Sequence, residues 1–245
     1  MSLDRRGFLR AAAAAVTTGV TAVACGSSRR AAPAAPGGSV VPSLGSLPAE
    51  VVHGPRDRLA VALTFHGAGA PALARRLLET AEQAGAQLTV LAVGSWLDQQ
   101  PAMARRILDG GHELGNHTQN HLDIARMDAA AAYAEIAQCA ERLRRLTGSI
   151  GRWFRPSQTQ YSTSVIQDQA RLVGYPTCLS YDLDSRDFTD PGPAAITRTV
   201  LGSLQAGSVV SLHLGHAGTV TALPAILDGL AARGLHAVTV TQLLT

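Results

Sequence analysis

Short apolar runs alternate with amphipathic segments through most of this chain. Runs at 59–65, 88–93, 112–115, 153–155, 177–181, 208–212 and 236–240 read as strands. The intervals 71–84, 101–109, 128–146, 163–172, 193–204 and 222–232 carry apolar residues at helical spacing. Gly85, Gly110 and Gly234 stand where three of those helices should stop. Such alternation with short connections predicts an α/β domain whose sheet is mainly parallel, either open or closed as a barrel. In that architecture the carboxyl ends of the strands gather on one rim, where sites are built. His66, His117, Arg155, Asp184 and His213 each end or follow a predicted strand. Five ionisable groups at strand ends predict a common site rather than scattered surface charge.

The pattern fails at the amino-terminal end. Asp4-Arg5-Arg6-Gly7-Phe8-Leu9-Arg10 has the form of a twin-arginine export signal, and an apolar run from Ala11 to Ala24 follows. That run is shorter than the roughly 20 residues a bilayer span needs. Ala22-Val23-Ala24-Cys25-Gly26 resembles a bacterial lipoprotein box, so residues 1–25 are read as a lipoprotein-type signal with Cys25 as the acylated residue. Residues 26–55 are rich in Pro, Ala, Gly and Ser and read as a tether. Residues 56–245 then form one domain with room for a substantial core. The expected location is extracytoplasmic, on the outer face of the cytoplasmic membrane, with the lipid as the only membrane contact.

Charge and cysteine content exclude several classes. Formal charge is +3, but residues 1–24 hold Arg5, Arg6 and Arg10 against Asp4, which leaves +1 for the rest. A nucleic-acid partner therefore has no electrostatic support. Every basic side chain is Arg, so a catalytic lysine is excluded. Cys139 and Cys178 lie in separate apolar segments and are expected as two buried thiols rather than a disulfide. Nothing in the chain fixes an oligomeric state.

His117 and His121 carry the most specific chemistry. Four residues apart, they would share one face of a helical turn, with Cβ atoms roughly 6 Å apart. Two zinc–nitrogen bonds of about 2.0–2.1 Å can span such a gap. A zinc-peptidase H-E-x-x-H is ruled out, because Asn116 occupies the position four after His112. Trp96, Trp153, Tyr161 and Tyr181 are the candidate sugar-stacking rings, and His216 is left outside the site.

Residues 58–244 resemble the polysaccharide deacetylases with a NodB-homology domain, carbohydrate esterase family four. His117-Thr118-Gln119-Asn120-His121 is similar to the family's metal motif H-[ST]-x-x-H, and Trp153-Phe154-Arg155-Pro156 to its arginine motif. The run from Asp182 to Phe188 resembles D-x-x-D-W, with Phe188 for Trp, and Leu212-His213 closes a version of L-x-H. Family members carry Thr-Phe-Asp-Asp-Gly, where the first Asp is the base and the second a metal ligand. This chain has Thr64-Phe65-His66-Gly67 instead.

The resemblance implies a deformed (β/α) barrel of about seven parallel strands and hydrolysis of acetyl groups from the amino sugars of an acetylated glycan. It implies zinc or another divalent metal on His117 and His121, an acid His213 oriented by Asp184, and Arg155 orienting the base. His66 is then either the third metal ligand or the base, and the ligand role is the one expected. The leading expectation is a metal-dependent deacetylase of an envelope or extracellular glycan. The alternative is an impaired member that binds glycan or an envelope partner without turnover.

Overall fold

The structure is a computed structural model that describes residues 47–245. The signal, Cys25 and most of the tether lie outside the described residues. Eight strands all pair in parallel: β1 (Glu50–Val51), β2 (Ala60–Gly67), β3 (Thr89–Ala92), β4 (Glu113–Asn116), β5 (Cys178–Leu179), β6 (Leu183–Asp184), β7 (Val209–His213) and β8 (His236–Ala237). The main ladder runs β4-β3-β2-β7-β6, with β8 also on β2. Phe154 bridges Asn116 on one side and Cys178 on the other, which carries the curve on to β5 and β1. The chain is thus an α/β deformed barrel wrapped by helices α1 (Pro71–Gln83), α2 (Gly94–Gln99), α3 (Ala102–Asp109), α4 (Ala129–Thr147), α5 (Ser164–Val173), α6 (Pro193–Ser203), α7 (Ala217–Ala231) and α8 (Val240–Leu244). No described helix is long and apolar enough to cross a membrane.

Alternation along β2 sorts its side chains into two cores. Val61, Leu63 and Phe65 face the helices and join the large outer core with Leu77, Val210 and Leu223. Ala62 faces the lumen and packs with Leu91, Trp153, Leu179, Val209 and Leu243. Continuous burial on both faces is what a parallel strand under helices requires. Thr64 and His66 continue the lumen series of Ala62, so the sequence period itself places His66 over the plugged barrel. On β7 the same period gives Val209, Ser211 and His213, and the register sets His66 directly opposite His213.

Several expected elements differ from those observed. Residues 26–55 are not all tether, because Val51 is buried and Glu50–Val51 pairs with β5. Glu50 also accepts hydrogen bonds of 2.6 Å from the Ser162 N–H and hydroxyl. The expected strand at 153–155 reduces to the single bridging residue Phe154. The expected strand at 236–240 ends at Ala237, since Thr239 and Gln242 form a capping box that starts α8 at Val240. Helix α7 starts at Ala217, earlier than expected, and carries Pro224 in its interior. Cys139 and Cys178 are free and buried, and burial pushes their thiols up to about 12 and about 11.

Leu91 is fully buried at the centre of the lumen cluster. Replacing it by Ala should cost about 2–5 kcal/mol in urea unfolding, with the denaturant slope unchanged. A loss below about 1 kcal/mol would mean the lumen is not close-packed.

Candidate active site

Four side chains form one hydrogen-bonded row across the rim. Arg155 Nη1 donates to His66 Nε2 at 3.3 Å, His66 Nδ1 lies 2.8 Å from His213 Nε2, and His213 Nδ1 lies 2.7 Å from Asp187 Oδ1. A guanidinium can only donate, so the direction of every link follows. His66 accepts at Nε2 and donates from Nδ1, while His213 accepts at Nε2 and donates from Nδ1 to the carboxylate. The tautomers are assigned from this network. Arg155 Nε and Nη2 donate to the carbonyls of Leu179 and Ser180, at 3.2 and 3.0 Å. Asp187 Oδ2 accepts from the His213 N–H at 2.8 Å and from Thr219 Oγ1 at 2.6 Å.

The orienting carboxylate is therefore Asp187, which corrects the expectation of Asp184. Asp184 ends β6, accepts from the Arg186 N–H at 2.9 Å, and faces the cleft. Asp187 opens the 3-10 turn Asp187–Thr189 and is fully buried beneath His213. The signal that could have found it is its place directly before Phe188, as Asp precedes Trp in the family motif.

His117 and His121 come together by a different route from the one expected. Strand β4 ends at Asn116 and no helix follows until the 3-10 turn Ile124–Arg126. Left-handed backbone at Thr118 (φ 67°) and His121 (φ 56°) folds the segment back instead. The loop after Arg155 holds it there: Thr118 Oγ1 donates to Ser157 Oγ at 3.0 Å, Gln158 Nε2 to the His121 carbonyl at 2.7 Å, and Ser157 Oγ to the Leu122 carbonyl at 2.5 Å. Gln158 is itself left-handed, at φ 56°. Non-glycine residues in that region cost of order 1 kcal/mol or more each, and they cluster here at the rim. The two rings end with centroids 4.9 Å apart.

These donors fit a divalent metal only in part. His117 Nδ1 donates to the Arg155 carbonyl at 2.9 Å, while its Nε2 is buried with no partner among the described residues, which is how a metal-binding imidazole is held. His121 is the neighbouring donor. Among the described residues, however, no group of three ligands is assembled. His66 stacks on His117 at 4.2 Å with ring planes only 16° apart. A lone pair lies in its ring plane, so an ion in the plane of His117 sits well outside the plane of His66. Gly67 offers no side chain and faces away from the lumen. A Cβ there would meet Ala92 Cα and Val90 Cγ1, each at 2.9 Å. His66 thus stands beside His117 at the rim, with its ring nitrogens facing Arg155 and His213.

Electrostatics follow from burial. Desolvation first, then the surrounding imidazoles and Arg155, holds His66 well below the ordinary imidazole range. Burial does the same to His117, ahead of its neighbour His121, and lowers His121 as well. Burial brings Arg155 down to about 9, which leaves it charged at neutral pH. For Asp187 burial works upward, but the hydrogen bonds and charge of His213 and the bond from Thr219 outweigh it, and the net shift is down.

Two lobes flank the row. One of about 510 Å³ is walled by Pro156, Gln158, Gln160, Tyr181 and Phe188, and one of about 250 Å³ by Ala68, Gly69, Val93 and Gly215. His66, His121, His213 and His216 border both. Of the expected stacking rings, Trp153 and Trp96 are buried, Tyr161 is exposed and Tyr181 lines the larger lobe. Phe188, not counted among them, does so too, with its ring 5.6 Å from His213.

The polysaccharide deacetylase family model matches residues 53–177. The chain is 30% identical over 194 residues to a peptidoglycan-N-acetylglucosamine deacetylase of Bacillus cereus, covering 78% of this chain and 90% of that protein. It is 24% identical over 183 residues to a Listeria monocytogenes protein of the same description, covering 75% of this chain but only 38% of that longer one. Solved structures of similar fold include a carbohydrate esterase family four pseudoenzyme from Bacillus anthracis (TM-score 0.76, 22% identity, 81% of this chain and 70% of that one). Another is the family four carbohydrate esterase from Streptomyces lividans in complex with acetate (TM-score 0.68, 26% identity, 73% and 91%). The chain belongs to the polysaccharide deacetylase family.

Because His66 and His117 are neutral in the fold, the unfolded chain takes up protons below about pH 6.5 that the folded chain refuses. Their contribution to stability is complete above that pH and is lost as pH falls below it. Each adds up to about 1.4 kcal/mol per pH unit to the loss. Urea unfolding in chelator between pH 7.5 and 5.5 should show this decline, shallower in His66→Gln. An identical slope in that variant would contradict a buried neutral ring at 66.

Proposed function

We propose that this chain binds an acetylated amino-sugar glycan of the cell envelope and does so without the family's metal-dependent hydrolysis. The observation that carries the reading is that both ring nitrogens of His66 are engaged, one by Arg155 and one by His213. Amide hydrolysis needs a base with a free lone pair and an acid that carries a proton toward the leaving amine. The lone pair of His66 faces a guanidinium. His213 Nε2 accepts a proton donor where the acid should present one. Neither proton-transfer group is in its reacting state, and the carboxylate ligand position is a closed glycine. The cleft itself is intact, with an aromatic wall at Tyr181 and Phe188 suited to a sugar face.

A second reading keeps the hydrolase, with a divalent ion on His117 and His121. What favours it is the buried, unpartnered Nε2 of His117. On either reading the ligand is an acetylated glycan and the protein is exported, with Cys25 as the proposed lipid attachment.

The two readings separate in one assay on signal-free protein. The pentamer of N-acetylglucosamine should bind by calorimetry in chelator, and no acetate should be released when zinc, cobalt or nickel is added. Metal-dependent acetate release that disappears in His117→Ala would establish the hydrolase instead. Gly67→Asp alone should not increase zinc retained per chain, and should destabilise by about 1–3 kcal/mol through overpacking against Ala92 and Val90. Elemental analysis and urea unfolding read both effects.

A further inference from the structure

His213 is not the only imidazole at this rim backed by a carboxylate. His216 Nδ1 lies 2.9 Å from Asp190 Oδ1, and the pair repeats the His213–Asp187 pair three residues further along both segments. Both carboxylates belong to the turn after β6, and both imidazoles to the end of β7 and the residues that follow. Asp190 takes left-handed backbone (φ 50°, ψ 48°), held by its N–H on the Asp187 carbonyl at 2.9 Å. A non-glycine residue there is strained, and the turn presents the second carboxylate at that cost. The backbone of His216 is fixed as well, since its carbonyl accepts from the N–H groups of Thr219 and Val220 at the start of α7.

The two imidazoles differ in what remains free. His213 has both nitrogens occupied. His117 keeps a bare nitrogen, but it is buried. His216 borders both lobes of the cleft, and its side chain is 27% exposed. In the tautomer that donates from Nδ1 to Asp190, Nε2 is the ring's acceptor, and no described protein group contacts it. Its ring lies 5.7 Å from that of His213, at the junction of the two lobes.

We infer that His216, held in one tautomer by Asp190, is the hydrogen-bond acceptor through which the cleft grips a hydroxyl or acetamido N–H of the bound sugar. This rests on the glycan-binding reading above. A neutral imidazole with a fixed tautomer presents a lone pair without reorganisation, and the alternative ring state would offer a donor instead. Asp190 acts through His216 and is a positioning residue.

The test is calorimetric titration of signal-free protein in chelator with the N-acetylglucosamine pentamer, alongside 15N spectra of the histidine rings. His216→Leu should weaken binding at least tenfold. His216→Gln, which can place a carbonyl oxygen near the position of Nε2, should stay within about threefold of the unaltered protein. The Nε2 resonance of His216 should be unprotonated in the free protein, shift when the pentamer is added, and report mixed tautomers in Asp190→Ala. Thermal unfolding should be unchanged in the two His216 variants, which separates recognition from folding. Pentamer binding by His216→Leu at full affinity overturns the inference and leaves the glycan reading standing. No binding by the unaltered protein removes both. A protonated Nε2 in the free protein overturns the role of Asp190.

Discussion

A carboxylate and a guanidinium, both without solvent exposure, face each other through two imidazole rings. Isolated buried charges are expensive, and the rim is arranged to leave neither isolated. Arg155 also donates to the Leu179 and Ser180 carbonyls, and the second oxygen of Asp187 accepts from the His213 N–H and Thr219. With both ends anchored, the two rings between them have one consistent set of proton positions. Both ring nitrogens of His66 and both of His213 are engaged within the row.

The replacement at 66 and 67 is therefore not a simple exchange of one ligand for another. Residue 66 belongs to the lumen series of β2 with Ala62 and Thr64, while residue 67 belongs to the opposite face, against Val90 and Ala92. A longer side chain at 66 cannot substitute for one at 67, because the backbone sends them in opposite directions. What fills the lumen position is a flat ring that stacks on His117 and contacts His213.

That support is layered. Backbone strain at Thr118, His121, Gln158 and Asp190 is concentrated around the cleft, where side-chain hydrogen bonds from neighbouring loops hold it. At the far end of the barrel, Glu113 accepts from Thr89, Trp153 and Thr241 and ties the last helix to the strands. A rim held this firmly presents preorganised groups that would lose little freedom on binding a ligand.

Much of this was legible in the chain itself. Parallel strands under helices are dictated by apolar runs alternating with amphipathic segments, and the gathering of His66, His117, Arg155 and His213 follows from their place at strand ends. Those are properties of local period, and local period is written in the sequence. The sequence pattern points to Asp184 rather than Asp187 and to a helical turn at His117–His121, because both features depend on irregular backbone whose course is set by contacts with distant loops. The short strand at Glu50–Val51 was hidden inside a Pro- and Ala-rich stretch, since only its partner β5 makes it a strand. The fate of His66 was beyond any reading of the chain alone. Its role depends on which atoms stand within 3.5 Å of each ring nitrogen, and Arg155 and His213 are 89 and 147 residues away along the sequence. Tertiary structure decided that, through the parallel register that sets His66 level with His213.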